Sequence, residues 1–114
     1  MTRYISFRRP DGTPSFGRLH GETVHDLGQA DGPAWLRDAL AGDLAALAPT
    51  ASYARADVRL LPLVPNPGKI LCVGLNYATH VAETGREQKE HPAIFTRWAD
   101  SLVAAGDPVV RPKE

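Results

Sequence analysis

Apolar and polar positions alternate at the start of the chain. Over residues 3–9, Tyr4, Ser6 and Arg8 fall to one side and Ile5 and Phe7 to the other, which predicts a half-buried strand. Pro10, Asp11 and Gly12 then signal a turn. Residues 16–19 and 23–27 make two further short strands, joined through His20, Gly21 and Glu22, where glycine takes a positive φ without steric cost. A small antiparallel meander is the expectation. Next the period changes: Trp35, Leu36, Ala39, Leu40, Leu44 and Leu47 recur three and four apart, so residues 31–47 are expected to form one helix packed on the meander. Asp31 or Gly32 would cap it, Pro33 fits its first turn, and Gly42 weakens its middle.

Residues 58–63 run into Pro62, Pro65, Pro67 and Gly68, a stiff stretch without regular hydrogen bonding. The division expected from this is a cap domain over 1–62, a Pro-rich linker over 63–68, and a second domain from 69 onward. That second domain opens on KILCVGLNYATHVAETG, residues 69–85. Ile70, Leu71, Cys72 and Val73 are apolar at every position, which predicts a strand covered on both faces. Gly74 breaks the run, Asn76 can cap a helix, residues 77–84 contain no Gly or Pro, and Gly85 supplies a left-handed stop.

On that short helix His80 and Glu83 stand three apart, which makes their side chains neighbours on one face. A carboxylate that accepts one ring N–H fixes the imidazole tautomer and raises the basicity of the other nitrogen, so the pair can take a proton from water. Its position just beyond the end of a strand is where open sheets present ligand sites. The plain alternative is a surface pair that adds a few tenths of a kcal/mol to the helix.

The polar run 86–91 reads as a solvated loop or as a lid over the site. Glu87 and His91, four apart, lack the third ligand that a metal site needs. Residues 92–97 return to strand. Arg97 is either an ordinary surface residue or a cation that binds a substrate carboxylate. Val109 and Val110, between Pro108 and Pro112, suggest a last short strand.

The string VGLNYATHVAETG followed by HPAIFTRWADSLVAAGDPVVRP resembles the opening of the catalytic domain in the fumarylacetoacetate hydrolase family. Val73, Gly74, Asn76, Tyr77, His80, Glu83, Pro92, Phe95, Arg97, Ser101, Pro108, Val109 and Pro112 carry the likeness. The first 27 residues resemble the small N-terminal cap of bacterial members. The fold class implied is α+β and mainly β: an N-terminal antiparallel meander with a helix, then an incomplete β-roll domain. The resemblance also implies a catalytic pair at His80 and Glu83, and substrate contacts from Arg97, Asn76 and Tyr77. Members bind Mg²⁺ or Mn²⁺ through an E-x-E pair and a more distant Asp. Those ligands are expected beyond Glu114, with no metal ligands in this chain alone.

Composition narrows the partners. Lys plus Arg and Asp plus Glu number thirteen each, so no net field draws the chain to nucleic acid or an anionic membrane. No apolar run approaches a membrane span, and the N-terminus has no continuous apolar core of a signal peptide; a cytoplasmic protein is the expectation. The one cysteine, Cys72, excludes an internal disulfide and reads as a buried core residue rather than a nucleophile. His20 and His25 read as exposed strand or loop residues without metal partners.

With so little chain to cover a strand apolar on both faces, the expectation is an N-terminal piece of a protein about twice as long, or a truncated reading frame. The intact protein would be a metal-dependent enzyme acting on small 2-keto or β-diketo acids. C–C bond hydrolysis, isomerisation and decarboxylation all remain open, with the catabolism of aromatic compounds as one setting. A homodimer is expected by resemblance. The alternatives are a non-catalytic fragment or assembly module, or a chain that lends His80 and Glu83 to a complementary partner.

Overall fold

The computed structural model describes residues 2–87 and 90–113. By contacts the chain forms two compact units: one runs up to Asn66 and resumes at Leu102, and the other is Pro67–Ser101.

The first unit is built on a five-stranded antiparallel sheet in the order β4-β3-β2-β1-β5. The meander lies where alternation placed it, as β1 (Arg3–Arg8), β2 (Pro14–His20) and β3 (Thr23–Asp26). Two strands extend it: β4 (Ala51–Ala54) pairs with β3, and β5 (Arg59–Leu60) crosses to pair with β1. Phe7, Val24 and Val58 are buried on one face, joined by Ile5, Leu19, Tyr53 and Leu60. Phe16, Leu27, Leu36 and Ala39 form a second cluster, with Tyr4, Leu44 and Leu47 against it. Alternate side chains of a strand point to opposite faces, and Phe7 pairs with Ser15, next to Phe16, so the two clusters use opposite faces of the sheet. Gly17 lies where a Cβ would collide with the His25 carbonyl and the Phe7 ring, so this strand crossing tolerates no side chain.

One expected element shrinks. Residues 31–47 do not form a continuous helix: only α1 (Leu36–Ala39) is helical, and turns follow it. Pro33 and Gly42 bracket a segment too short to propagate, since nucleating a helix costs more than its first hydrogen bonds return. The apolar stripe nevertheless packs, through Leu36, Ala39, Leu44 and Leu47, while Trp35 is half-buried and Leu40 is exposed. Nor do Val109 and Val110 form a strand; both are exposed.

The turn between β1 and β2 closes on itself. Thr13 donates its backbone N–H and its hydroxyl to Asp11 Oδ1 at 2.8 and 2.6 Å. Hydrogen bonding from the Thr13 side chain first, then from its backbone, holds the Asp11 carboxyl below the usual carboxylate range. The ionised form is therefore favoured in the folded chain. Its contribution is present above the ordinary carboxylate range and is lost as pH falls through the lowered value. Asp11→Asn, which keeps the acceptor oxygen but not the charge, should unfold with a shallower acid dependence than the parent. Denaturation midpoints across pH 2–6 measure this directly, and identical acid slopes would contradict it.

The second unit is a two-stranded antiparallel ribbon, β6 (Ile70–Gly74) and β7 (Ala93–Arg97), with helix α2 (Ala78–Glu83) between them. Contrary to the expectation of burial on both faces, β6 shows Leu71 and Val73 at 63% and 56% exposure. A two-stranded ribbon has no second layer to lay on its outward face. Cys72, expected in the core, is half-buried. Among the described residues no helix is long and apolar enough to cross a membrane.

Candidate active site

The strand–turn–helix of the second unit sets the geometry. β6 ends at Gly74, and the backbone then turns through Leu75 at φ +55, a left-handed conformation uncommon for a branched side chain. Such positions persist where the surroundings impose them, and they gather at functional sites. The turn throws Asn76 and Tyr77 outward before α2 begins. Asn76 is not the helix cap that its residue type suggested. Tyr77 holds that position with extended backbone and makes no side-chain cap bond. Asn76 is exposed, and Tyr77 is 72% exposed. Val81, 2% exposed, anchors the helix, and the Thr84 hydroxyl donates to the Val81 carbonyl at 2.8 Å. Gly85, at φ +65, supplies the left-handed stop, and its N–H reaches the Ala82 carbonyl at 3.1 Å.

Val81 turned inward leaves His80 and Glu83 outward. His80 Nδ1 lies 3.8 Å from Glu83 Oε2, so the structure brings the two together on one side of α2 as their spacing predicts. That separation is an ion-pair distance and exceeds a hydrogen bond. Both side chains face solvent, at 57% and 77% exposure. The other ring nitrogen, Nε2, is the one left to meet a substrate proton.

Arg97 is not brought to this pair. The register sets Arg97 opposite Ile70 and Ala93 opposite Gly74, so Arg97 is at the far end of the ribbon from the strand–helix turn. At about 3.3 Å per residue, four residues of strand part them by roughly 13 Å. The Arg97 guanidinium lies 5.3 Å from the centre of the Phe95 ring, a cation–π contact between neighbours on one face of β7. Together with Lys69 and Trp98 it lines a cleft of about 420 Å³ that two cations equip for a carboxylate.

A second cleft of the same unit, about 340 Å³, lies between Leu75 and the segment around Pro92, and Arg86, Glu87 and His91 line it. The 86–91 run expected to form a lid thus partly borders the turn that carries Asn76; its Gln88 and Lys89 lie outside the described residues. Glu87 and His91 share this cleft with a guanidinium, whose charge opposes a divalent ion. Among the described residues no three His, Cys, Asp or Glu side chains converge to hold a metal. The described part of the chain therefore does not fit an octahedral Mg²⁺ or Mn²⁺ site.

Sequence reasoning overlooked a polar cluster in the first unit. Asp26, fully buried, accepts from Arg9 Nε at 2.6 Å, Ser15 Oγ at 2.5 Å and the Gly28 N–H at 3.0 Å. The side-chain hydrogen bond to Asp26, working against the desolvation of the guanidinium, raises the Arg9 pKa still further above its ordinary value. The cluster borders a cleft of about 540 Å³ with Thr50 and Tyr53, but the short bonds tie its groups to one another, which is a structural arrangement. The available signal was a charged residue in phase with Val24, at an inward position of β3.

Comparison with known proteins bears on the second unit above all. A family model described as the fumarylacetoacetate (FAA) hydrolase C-terminal domain matches residues 69–114. The mitochondrial oxaloacetate tautomerase fahd2 of Xenopus laevis is 38% identical over 60 residues, which is 53% of this chain and 19% of that protein. The human mitochondrial oxaloacetate tautomerase FAHD2A matches with the same identity and coverage. A Burkholderia ambifaria protein named as a hydrolase is 34% identical over 84 residues, 65% of this chain and 30% of the relative. The matched stretches thus span under a third of the length of these relatives.

Proposed function

We propose that the chain, whose residues 69–114 match the fumarylacetoacetate hydrolase family, is the N-terminal part of an enzyme of that family that moves a proton on a small 2-keto or β-diketo acid. His80 is the base. Glu83 steadies the ring from its Nδ1 side, and Nε2 takes a proton from the carbon beside the keto group, or from a water that attacks the carbonyl. Returned to the oxygen of the resulting enolate, the proton taken from carbon completes a keto–enol tautomerisation. When water attacks instead, the hydrated carbonyl collapses to a carboxylic acid, its bond to the neighbouring carbon breaks, and that carbon leaves as an enolate that takes the proton back from Nε2, which completes C–C bond hydrolysis. Asn76 and Tyr77 border the reacting end, while Arg97 and Lys69 form a carboxylate site at the other end of the ribbon, which a small acid bound at His80 does not reach in the arrangement observed.

The observation that carries this reading is the 3.8 Å approach of His80 Nδ1 to Glu83 Oε2 on the helix that follows a family-matching strand. The names of the relatives, oxaloacetate tautomerase and hydrolase, agree with a substrate of this class. The division into a cap over 1–62, a linker over 63–68 and a catalytic part from 69, together with a homodimer and a cytoplasmic setting, belongs to the same proposal. The Mg²⁺ or Mn²⁺ implied by the family has no ligand set among the described residues. A second reading has the 114-residue chain alone act as a non-catalytic assembly module. The exposure of both side chains favours it for the isolated chain.

Proton exchange separates the two. The whole protein, incubated in D₂O with oxaloacetate and Mg²⁺, should incorporate deuterium at the carbon beside the keto group well above the buffer rate, followed by NMR. Exchange at the buffer rate with oxaloacetate, pyruvate and an acylpyruvate alike would overturn the assignment.

A further inference from the structure

The first unit carries a cationic cleft that the proposed chemistry does not use. It measures about 450 Å³ and is lined by Thr2, Arg18, Leu19, His20, His25 and Pro49. In a chain whose charges balance, it collects one guanidinium and two of the four imidazoles. Among the described residues no carboxylate lines it.

The sheet register explains why these side chains converge. Arg18 and His20 are two apart on β2 and so share a face. His25 of β3 pairs directly with Arg18, and directly opposed residues have Cβ atoms about 5 Å apart on the same face. This is the face that carries Phe16, whose cluster with Leu36, Ala39, Leu44 and Leu47 covers only part of it. The polar part is left open.

Local bonds orient the donors. Arg18 Nη2 donates to the Leu47 carbonyl at 3.2 Å, which fixes the side chain with most of its five N–H donors to spare. His25 Nδ1 lies 3.0 Å from Ser52 Oγ. When the Ser52 hydroxyl donates to Nδ1, the ring proton stays on Nε2 and becomes a donor. His20 is exposed at the end of β2. A guanidinium flanked by two imidazoles, with no competing acid, is a donor set for an oxyanion.

We propose that this cleft binds a small oxyanion, a carboxylate or a phosphate group, at a site in the N-terminal unit separate from the residues assigned to proton transfer. Arg18 supplies the fixed charge, and His20 and His25 supply the flanking donors.

Heteronuclear NMR titration of the 114-residue chain tests this, with inorganic phosphate in one series and malonate in the other. The expected result is a saturable one-site response at Arg18, His20 and His25 in at least one series. The tighter probe tells whether the natural ligand carries a phosphate or paired carboxylates. Arg18→Gln should weaken binding about tenfold, the loss expected for one charge-assisted contact. Because Arg18 also bonds Leu47, His20→Asn serves as a second variant at an exposed position and should weaken binding severalfold. Shifts that fail to saturate, that appear equally at Arg55 and the exposed Arg59, or that are unchanged in both variants would overturn the proposal.

Discussion

In the proposed enzyme, His80→Ala should lower kcat by about 10²- to 10⁴-fold, the contribution typical of a positioned general base, and leave KM and divalent-metal affinity nearly unchanged. His80 stands on the solvent side of α2 with Nδ1 toward Glu83, and among the described residues no three metal-ligating side chains converge, so its removal takes away a proton acceptor and no ligand. Steady-state kinetics with oxaloacetate, paired with calorimetric titration of Mg²⁺ into the variant, measures both quantities. Loss of metal affinity alongside turnover would move His80 into the ligand shell and defeat the assignment as base. Glu83→Gln gauges how far the pair tightens during the reaction. Across 3.8 Å of exposed space the contact is worth under about 1 kcal/mol, so a loss of up to about fivefold is expected if the observed geometry persists. A much larger loss would show that the carboxylate closes to hydrogen-bonding distance in the working enzyme.

That pair was legible because its information is local. A spacing of three residues, a glycine ending the strand and another ending the helix suffice to put His80 and Glu83 side by side, whatever covers them. The β2–β3 hairpin is legible for the same reason, since Gly21 at φ +58 sits in a two-residue loop between the paired His20 and Thr23. Failures cluster where the outcome depends on distant chain. The stripe from Leu36 to Leu47 reads as helix by its period, yet it packs on Phe16 largely through turns, because burying apolar side chains needs no continuous ladder when Pro33 and Gly42 interrupt it. β4 went unseen because Ala51, Ser52, Tyr53 and Ala54 form a weak strand by propensity; its place comes from pairing with β3. The apolar run of β6 states that both faces seek cover, but periodicity cannot say what supplies it, and Leu71, Val73 and Ile94 lie exposed. For the site, spacing conveyed the pair but not the position of Arg97, which the β6–β7 register sends to the other end of the ribbon.

Asp26→Ala should destabilise the first unit by about 3 kcal/mol, a large part of the 5–15 kcal/mol that typically holds a domain together. Asp26 is fully buried and accepts from three partners, and its loss affects each of them differently. Ser15, 1% exposed, and the buried Gly28 N–H would lose their acceptor where water has little access, and each unsatisfied buried group costs about 1–3 kcal/mol. Arg9 is 26% exposed at its side chain and keeps contacts to Thr13 and the Gly28 carbonyl, so it recovers part of its loss from solvent. Asp26→Asn separates charge from hydrogen bonding. Its amide oxygen can still accept from Ser15 and Gly28 while the ion pair with Arg9 is gone, so it should cost roughly half as much. Urea unfolding followed by tryptophan fluorescence reads both variants, because Trp35 is half-buried in this unit whereas Trp98, in the other, is 82% exposed in the native state and changes little. If the two variants unfold together and within about 1 kcal/mol of the parent, the cluster does not hold the sheet, and the opposed apolar clusters around Phe7 and Phe16 carry its stability by themselves.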